Sequence, residues 1–269
     1  MDIRLEKDFE LKVITIVKAA SNLVKDAVFD VNAKSGNVNI VTTSDLLVQR
    51  YLHEKLSEIL PEAGFYCEEE DLQEVGKEFL WVIDPIDGTM NYARAIPESA
   101  VSVALLHNNV PILGVVNNIF TGDVYSAVAG KGAKKNGTSI AVSNRAFCDG
   151  LFCTAMSTYR KDMAGVCNDI IMDAYMQCND VRRFGAAALE ICYLAEGRCE
   201  LYFEIRIFPW DYAAAGLILK EAGGVISGFD GKQIPYDRPS TIIGANTVES
   251  HAKLCEIVWK YLEKDPEEK

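Results

Sequence analysis

The stretch WVIDPIDGTMNY, residues 81–92, runs an apolar segment directly into two aspartates. The apolar segment predicts a buried strand. Pro85 favours extended backbone at Asp84 and has a fixed φ itself, so the chain leaves the strand in a defined turn. That turn can aim the carboxylates of Asp84 and Asp87 into one small volume, which the Ile86 carbonyl can join. Since close carboxylates repel unless a proton or cation intervenes, the stretch predicts a site for a hard divalent ion such as Mg²⁺.

Gly88 and Thr89 follow at once, and their backbone N–H groups can hold an anion at a helix start. A helix-capping aspartate beside a structural turn is the alternative interpretation. Haloacid-dehalogenase-like phosphatases also carry Asp-Gly-Thr, with an aspartate nucleophile two residues before the second aspartate. Here the separation is three, a proline intervenes and the motif lies far from the N-terminus, which disfavours that class.

Helical and strand patterns alternate along the whole chain. Predicted helices cover residues 4–29, a segment capped at Ser44 or Asp45 and running through Leu60, about 159–177, 187–195, 211–221 and about 248–263. Predicted strands are GFYCEEED, EFLWVID, VSVALLH, VPILGVVNN, DVYSAVAG, ELYFEI, GGVIS and TIIGA, with a glycine-rich hairpin at GKGAKKNG. This mixture indicates a layered α/β or α+β architecture.

The formal net charge of -12 disfavours sequence-independent binding of nucleic acid. It does not exclude a phosphorylated substrate, because a bound divalent cation reverses the local field. The chain starts with charged residues and has no apolar run of 18, so we expect a cytoplasmic protein without signal peptide or membrane span. The eight cysteines show no CxxC spacing and favour reduced core thiols, with disulfides as the alternative.

Three further acidic features can serve structure or chemistry. The run 68–71, Glu-Glu-Glu-Asp, follows an apolar strand and could be a solvated loop. Asp211 precedes a helix of small residues and could be its N-cap. Asp45 ends the segment VTTSD and could also be a cap.

Together these elements resemble the inositol monophosphatase family of Mg²⁺-dependent, lithium-sensitive sugar phosphatases. The resemblance covers nearly the whole chain and rests on VTTSD, CEEE, WVIDPIDGTMNY, GKGAKKNG, RRFGAAALEICYLAEGRCE and PWDYAAAGLILKEAGG, in family order. It implies an α+β fold, a layered αβαβα sandwich. One domain would span 1–269, with halves at about 1–145 and 146–269 and most metal ligands in the first half. It also implies a homodimer.

The resemblance implies a role for each matching residue. The implied metal ligands are Glu68, Asp84, the Ile86 carbonyl, Asp87 and Asp211. Thr89, paired with Asp45, would orient and activate the attacking water. The implied substrate contacts are the Gly88 and Thr89 N–H groups, Ala187 and Glu204, and Lys34 matches a lysine on a mobile loop near the metals.

Three positions depart from the family pattern. Cys67 replaces the usual glycine before the glutamates, and Asn39 stands where many members have aspartate. Arg206 stands where inositol-type enzymes commonly have a small residue. It is either a solvated strand residue or a cation at the substrate mouth that suits a second phosphate.

The resulting hypothesis is Mg²⁺-dependent hydrolysis of myo-inositol monophosphate by metal-activated water, without nucleic-acid or membrane partners. The enzymatic alternatives are hydrolysis of fructose 1,6-bisphosphate or of a nucleotide 3′-phosphate. The short chain and Glu204 disfavour the nucleotide substrate. A non-enzymatic regulatory protein that binds a partner is the third candidate, and the complete set of predicted metal ligands disfavours it.

Overall fold

The computed structural model describes residues 7–25, 31–35, 39–69, 73–156 and 158–262, with backbone alone at Lys7, 31–35 and 39–42. These residues form seven α-helices and fourteen strands. The strands are β1 Val31–Ser35, β2 Asn39–Thr42, β3 Gly64–Cys67, β4 Phe79–Asp87, β5 Ala100–His107, β6 Val110–Asn118, β7 Val124–Val128, β8 Ala133–Lys135, β9 Thr138–Ile140, β10 Leu151–Thr154, β11 Asp180–Arg182, β12 Leu201–Ile207, β13 Val225–Ser227 and β14 Ser240–Ala245. The helices are α1 Lys7–Val24, α2 Thr43–Ile59, α3 Thr89–Tyr92, α4 Ala164–Tyr175, α5 Ala187–Ala195, α6 Pro209–Glu221 and α7 Val248–Tyr261.

Two sheets carry the fold. The seven-stranded sheet has the order β3-β4-β5-β6-β7-β8-β9, with β3 parallel to β4 and every other pair antiparallel. The five-stranded sheet has the order β11-β10-β12-β14-β13, with β10 parallel to both its neighbours. β1 and β2 form a separate antiparallel pair. All nine residues of β4 are buried, as the apolar sequence of this strand predicts.

The helices complete five layers. α1 and α2 cover one face of the larger sheet, where Val17, Leu52 and Trp81 belong to one apolar core. α5 and α6 lie between the two sheets in a second core rich in alanine, and α4 with α7 covers the outer face of the smaller sheet over a third. The order helix, sheet, helix, sheet, helix is the αβαβα sandwich that the sequence predicts.

The observed helix bounds differ from the predictions mainly at the ends. α1 spans Lys7–Val24 and Lys25 lies in a turn, whereas residues 4–6 and 26–29 of the predicted segment 4–29 lie outside the described residues. α4 begins only at Ala164, because a 3₁₀ turn at Lys161–Met163 precedes it. α2 begins at Thr43, so Ser44 and Asp45 lie in its first turn rather than at its N-cap. Lys34 and Asn39 lie on β1 and β2, where the structure gives backbone alone.

The cysteines agree with the expectation of reduced thiols. All eight cysteines are free thiols, and all but Cys148 and Cys178 are buried. Within the described part of the chain, no helix combines the length and apolar composition that a bilayer crossing requires.

The packing of α6 on β6 generates a stability prediction. A Cβ added at Gly114 would lie 2.6 Å from the carbonyl oxygen and 3.0 Å from the Cα of Ala214. Both are backbone atoms, so α6 and β6 would have to separate. We expect Gly114→Ala to lower the free energy of unfolding by about 1–3 kcal/mol in urea denaturation.

Gly165→Ala is the matched control, because an added Cβ there meets nothing within 4 Å and Gly165 lies inside α4. We expect its stability to rise by roughly 0.4–1 kcal/mol. Equal midpoints for wild type and Gly114→Ala would contradict the close approach of α6 and β6.

Candidate functional site

The two aspartates of β4 share a side of the strand because β4 carries a bulge. Asp84 pairs with Ser102 and Asp87 with Ala100, so three steps along β4 face two along β5. Residues three apart on a regular strand point to opposite faces, and the extra residue reverses this. Pro85 lies inside the bulge, where its missing N–H is tolerated. The Ile86 N–H turns back to donate to Asp84 Oδ1 at 2.9 Å.

Asp211 reaches the same point from the first turn of α6. Its Oδ2 accepts a 2.7 Å hydrogen bond from the N–H of Phe208. Phe208 and not Asp211 is therefore the N-cap, and Asp211 caps the helix from the third position of its first turn. It is also compatible with a metal role, since carboxylate oxygens of Asp84, Asp87 and Asp211 all lie within 4.8 Å of one another. Ser102, the ladder partner of Asp84, donates to the Trp210 carbonyl at 3.2 Å and fixes the start of α6 opposite β4.

The N-terminus of α5 holds Asp87 in place. The N–H of Ala187 donates to Asp87 Oδ1 at 3.1 Å and the N–H of Ala188 to Oδ2 at 2.8 Å. The N–H of Ala187 is therefore engaged by a carboxylate. Asp84 and Asp87 consequently lie on one strand, and the cluster is tied to two middle-layer helices, to α5 through Asp87 and to α6 through Asp211.

Burial makes this carboxylate cluster unfavourable when ionised. Asp84 is 1% exposed, and burial followed by the charge of Glu68 raises its pKa well above the usual range. Burial raises the pKa of Asp87 to about 7, although the N–H groups of Ala188 and Ala187 oppose the shift. Burial and then the charge of Asp87 raise the pKa of Asp211 well above its usual value. Cations would relieve this cost, so the chemistry of the donor set fits a divalent metal ion.

A cleft opens at the cluster and collects nearly all of the predicted site residues. Those lining it are Glu68, Asp84, Ile86, Asp87, Gly88, Thr89, Ala187, Glu204 and Asp211. Glu68 lies outside the group of three within 4.8 Å but faces the same cleft. The Ile86 carbonyl accepts a 3.0 Å hydrogen bond from the hydroxyl of Thr89.

The turn after β4 depends on glycine. Gly88 has φ 80°, in the left-handed region, and an added Cβ would lie 2.9 Å from the Glu98 carbonyl oxygen and 3.0 Å from Ala186 Cβ. Thr89 then starts α3, and its hydroxyl lies 3.5 Å from Asp45 Oδ1. The hydroxyl has one proton to share between Asp45 and the nearer Ile86 carbonyl.

Glu204 and Arg206 separate at a second bulge. On β12, Glu204 pairs with Ile242 and Ile207 with Ser240, again three steps against two. Glu204 and Ile207 therefore both line the cleft, whereas Arg206 is not among the lining residues. Its guanidinium lies 5.6 Å from the ring centre of Phe208, which stacks on Trp210. Tyr202 donates to Glu204 at 2.8 Å, and burial raises the pKa of Glu204 to about 8.

Two charged cleft residues escaped the sequence prediction. Arg183 is exposed and lies near Glu190 and Glu204. Its positive charge lowers the pKa of both carboxyls, whereas burial raises them. Glu190 is buried on α5 and accepts from the N–H groups of Phe184 at 2.6 Å and Gly185 at 2.8 Å. The signal for Glu190 was a lone charge in the otherwise apolar helix AALEICYLA.

Comparisons with known proteins agree with this geometry. The sequence profile of the inositol monophosphatase family matches residues 5–263. Nus factor SuhB of Xylella fastidiosa is 36% identical over 192 residues, which cover 71% of this chain and 70% of that protein. Among solved structures, the extragenic suppressor protein suhB of Bartonella henselae has a TM-score of 0.87 at 27% identity, covering 95% of this chain and 100% of that one.

Thermotoga maritima IMPase gives a TM-score of 0.83 at 31% identity and covers 93% of this chain and 96% of that one. The profile match spans almost the whole length, and the five-layer fold accords with the solved structures. The chain therefore belongs to the inositol monophosphatase family.

Proposed function

We propose that the protein is a Mg²⁺-dependent phosphomonoesterase that hydrolyses myo-inositol monophosphate to inositol and phosphate. The observation that carries the proposal is the cluster of Asp84, Asp87 and Asp211, whose carboxylate oxygens lie within 4.8 Å of one another at the floor of a cleft. Membership of the inositol monophosphatase family supports the reaction class. The resemblance of the chain to Thermotoga maritima IMPase supports the substrate class.

The proposed metal ligands are Glu68, Asp84, the Ile86 carbonyl, Asp87 and Asp211. When bound, Mg²⁺ ions would lower the pKa of a coordinated water, stabilise the leaving alkoxide and offset phosphate charge. The protein's own part is to hold these oxygens in place before substrate arrives. The bulge in β4, the Phe208 N–H on Asp211 and the α5 N–H groups on Asp87 provide that rigidity.

The proposed substrate contacts follow the walls of the cleft. Thr89, with Asp45 at 3.5 Å, would orient the attacking water through its hydroxyl. The N–H groups of Gly88 and Thr89 would bind the phosphate, and Ala187 would contact the polyol. Glu204, fixed by the hydroxyl of Tyr202, would bind a substrate hydroxyl. By the family resemblance Lys34 would lie near the metals. That role, homodimerisation and the cytoplasmic location stay predictions.

The relatives named Nus factor SuhB raise a second candidate, a regulatory role with a transcription partner. All five proposed metal ligands are nevertheless present and line one cleft. Their retention favours the enzymatic proposal, and the two roles can coexist on one chain.

Asp87→Asn tests the reaction. It removes a carboxylate from the cluster while keeping an acceptor for the N–H groups of α5, so we expect a folded protein with at least a hundredfold less Mg²⁺-dependent phosphate release. Release from inositol 1-phosphate and circular dichroism are the measurements. Asp230→Asn, at an exposed turn residue paired with Lys232, is the control and should keep full activity. Undiminished activity of Asp87→Asn would refute the proposed metal site.

The pKa shifts predict how metal-free stability depends on pH. A carboxyl whose pKa is raised by folding stabilises the fold below its unfolded pKa, and this contribution is lost as pH rises through the folded pKa. For Asp87 and Glu204 the folded values are about 7 and about 8, so the Tm of metal-free protein should fall between pH 5 and 8.5. Differential scanning calorimetry in a chelator would measure this.

Asp84→Asn sharpens the same test, because its amide oxygen can still accept from the Ile86 N–H without adding a charge. We expect it to raise the metal-free Tm at pH 8 and to reduce the Tm gain on adding Mg²⁺. A wild-type Tm that rises steadily from pH 5 to 8.5 in chelator would contradict the carboxylate repulsion.

The exposed guanidinium of Arg183 favours one alternative substrate, fructose 1,6-bisphosphate. It is the one cationic side chain among the described residues that line the cleft, and a fork of donors suits a second phosphate. We expect Arg183→Ala to lower kcat/KM for the bisphosphate by about tenfold more than for inositol 1-phosphate, equivalent to about 1.4 kcal/mol. Arg206→Ala is the matched control and should affect both substrates equally, because Arg206 packs on Phe208. Equal losses for Arg183→Ala on both substrates would remove the second-phosphate role.

A further inference from the structure

A buried glutamine ties α2 to the strand that ends at Glu68. Gln49 is 0% exposed, and its side-chain amide makes two hydrogen bonds to the backbone of Glu69. The Gln49 Oε1 accepts from the Glu69 N–H at 3.0 Å, and the Gln49 Nε2 donates to the Glu69 carbonyl. A side-chain amide thus satisfies both backbone groups of one residue, as a neighbouring strand would.

The clamped residue directly follows a proposed metal ligand. Towards β4, the N–H of Glu68 donates to the Ile83 carbonyl at 3.2 Å. This hydrogen bond extends the parallel pairing of β3 with β4 by one residue. Ile83 precedes Asp84. The backbone at Glu68 is therefore held between β4, which carries the aspartates, and α2.

The face of α2 that carries Gln49 also carries Asp45, which lies beside Thr89. Asp45 lies four residues before Gln49, so both side chains project from one side of the helix. Asp45 is 0% exposed and lies 3.5 Å from the hydroxyl of Thr89. One rigid helix thus contacts both the Glu68 segment and the turn that follows Asp87.

We propose that Gln49 is a positioning residue that sets the distance of Glu68 from the Asp84 cluster and so tunes Mg²⁺ affinity. This inference rests on the proposed function, since it takes Glu68 as a metal ligand. Groups that orient a ligand from behind typically change metal affinity by about 10–100-fold when removed. Because Gln49 acts on the ligand's position and contacts no reacting atom, its loss should leave turnover at saturating Mg²⁺ nearly intact.

The test measures Mg²⁺ binding without substrate. Thermal shift and calorimetric titration with Mg²⁺ alone would give the half-saturation concentration, and phosphate release from inositol 1-phosphate would give kcat. For Gln49→Leu, which keeps the bulk and loses both hydrogen bonds, we expect half-saturation to rise about tenfold or more, with kcat at saturating Mg²⁺ within about threefold of wild type. Gln49→Glu keeps the acceptor for the Glu69 N–H but sets a carboxylate oxygen against the Glu69 carbonyl, so its half-saturation concentration should also rise.

Val48→Ala is the matched control, because Val48 is the neighbouring residue on α2 and is equally buried. It should lower the Tm and leave Mg²⁺ half-saturation unchanged. If Gln49→Leu and Gln49→Glu lower only the Tm, as Val48→Ala does, the positioning role is overturned. Should Gln49→Leu fail to fold, Gln49→Glu decides alone. Absence of any Mg²⁺ response in the wild-type protein would instead contradict the proposed function.

Discussion

Mutual repulsion among three close carboxylates, two of them buried and the third half-buried, is the constraint on which this structure depends. Asp84, Asp87 and Asp211 bring their oxygens within 4.8 Å in a largely desolvated place. No chain can hold such a cluster by local preference, because each carboxylate would move towards water if its backbone allowed it. The backbone does not allow it. β4 is buried along its length between two helical layers, and its bulge is closed by the Ile86 N–H on Asp84. The same rigidity would preorganise the oxygens for a cation, so that little reorganisation is needed on binding.

The middle layer explains how a site can be assembled from two sheets. α6 packs so closely on the larger sheet that Gly114 leaves no room for a Cβ against Ala214. This contact and the Ser102–Trp210 hydrogen bond set the height of Asp211 above β4. α5 presents its first N–H groups to Asp87, and β12 of the smaller sheet brings Glu204 to the opposite wall. The cleft is thus the place where both sheets meet the two helices that separate them.

The sequence predicted which residues share the cleft better than it predicted the directions of the side chains around them. Sequence patterns located six of the seven helices and the strands β3–β9 and β12–β14 of the described chain, but missed β1, β2, β10, β11 and the short α3. The ordered motifs named nine residues that line one cleft. On a regular β12, Arg206 would lie on the same face as Glu204, two residues before it. The bulge between Glu204 and Ile207 reverses that alternation, so Ile207 faces the cleft and Arg206 packs on Phe208. β4 contains a bulge of the same kind, in which three residue steps face two on β5, and there Pro85 marks its position in the sequence. On β12 no proline or glycine marks the irregularity, and Gln49 likewise gives no signal without the tertiary contact with Glu69.

The excess of negative charge in the cleft indicates that a bound cation is needed to offset it. Within the described chain, six carboxylates and a single guanidinium line the cleft. Repulsion among these carboxylates would destabilise a protein that binds partners only through its outer surface. Replacing one aspartate of the cluster by asparagine would relieve repulsion at no loss of packing, and such stabilising changes are easily accessible to most proteins. Local violations of stability rules are typical of functional sites, where another interaction offsets them. Divalent cations in the cleft would supply that interaction, and a phosphate would then meet positive charge there despite the acidic chain. The energetics of the cleft therefore favour the phosphatase proposal over a purely partner-binding role of the kind that the name Nus factor suggests for its SuhB relatives.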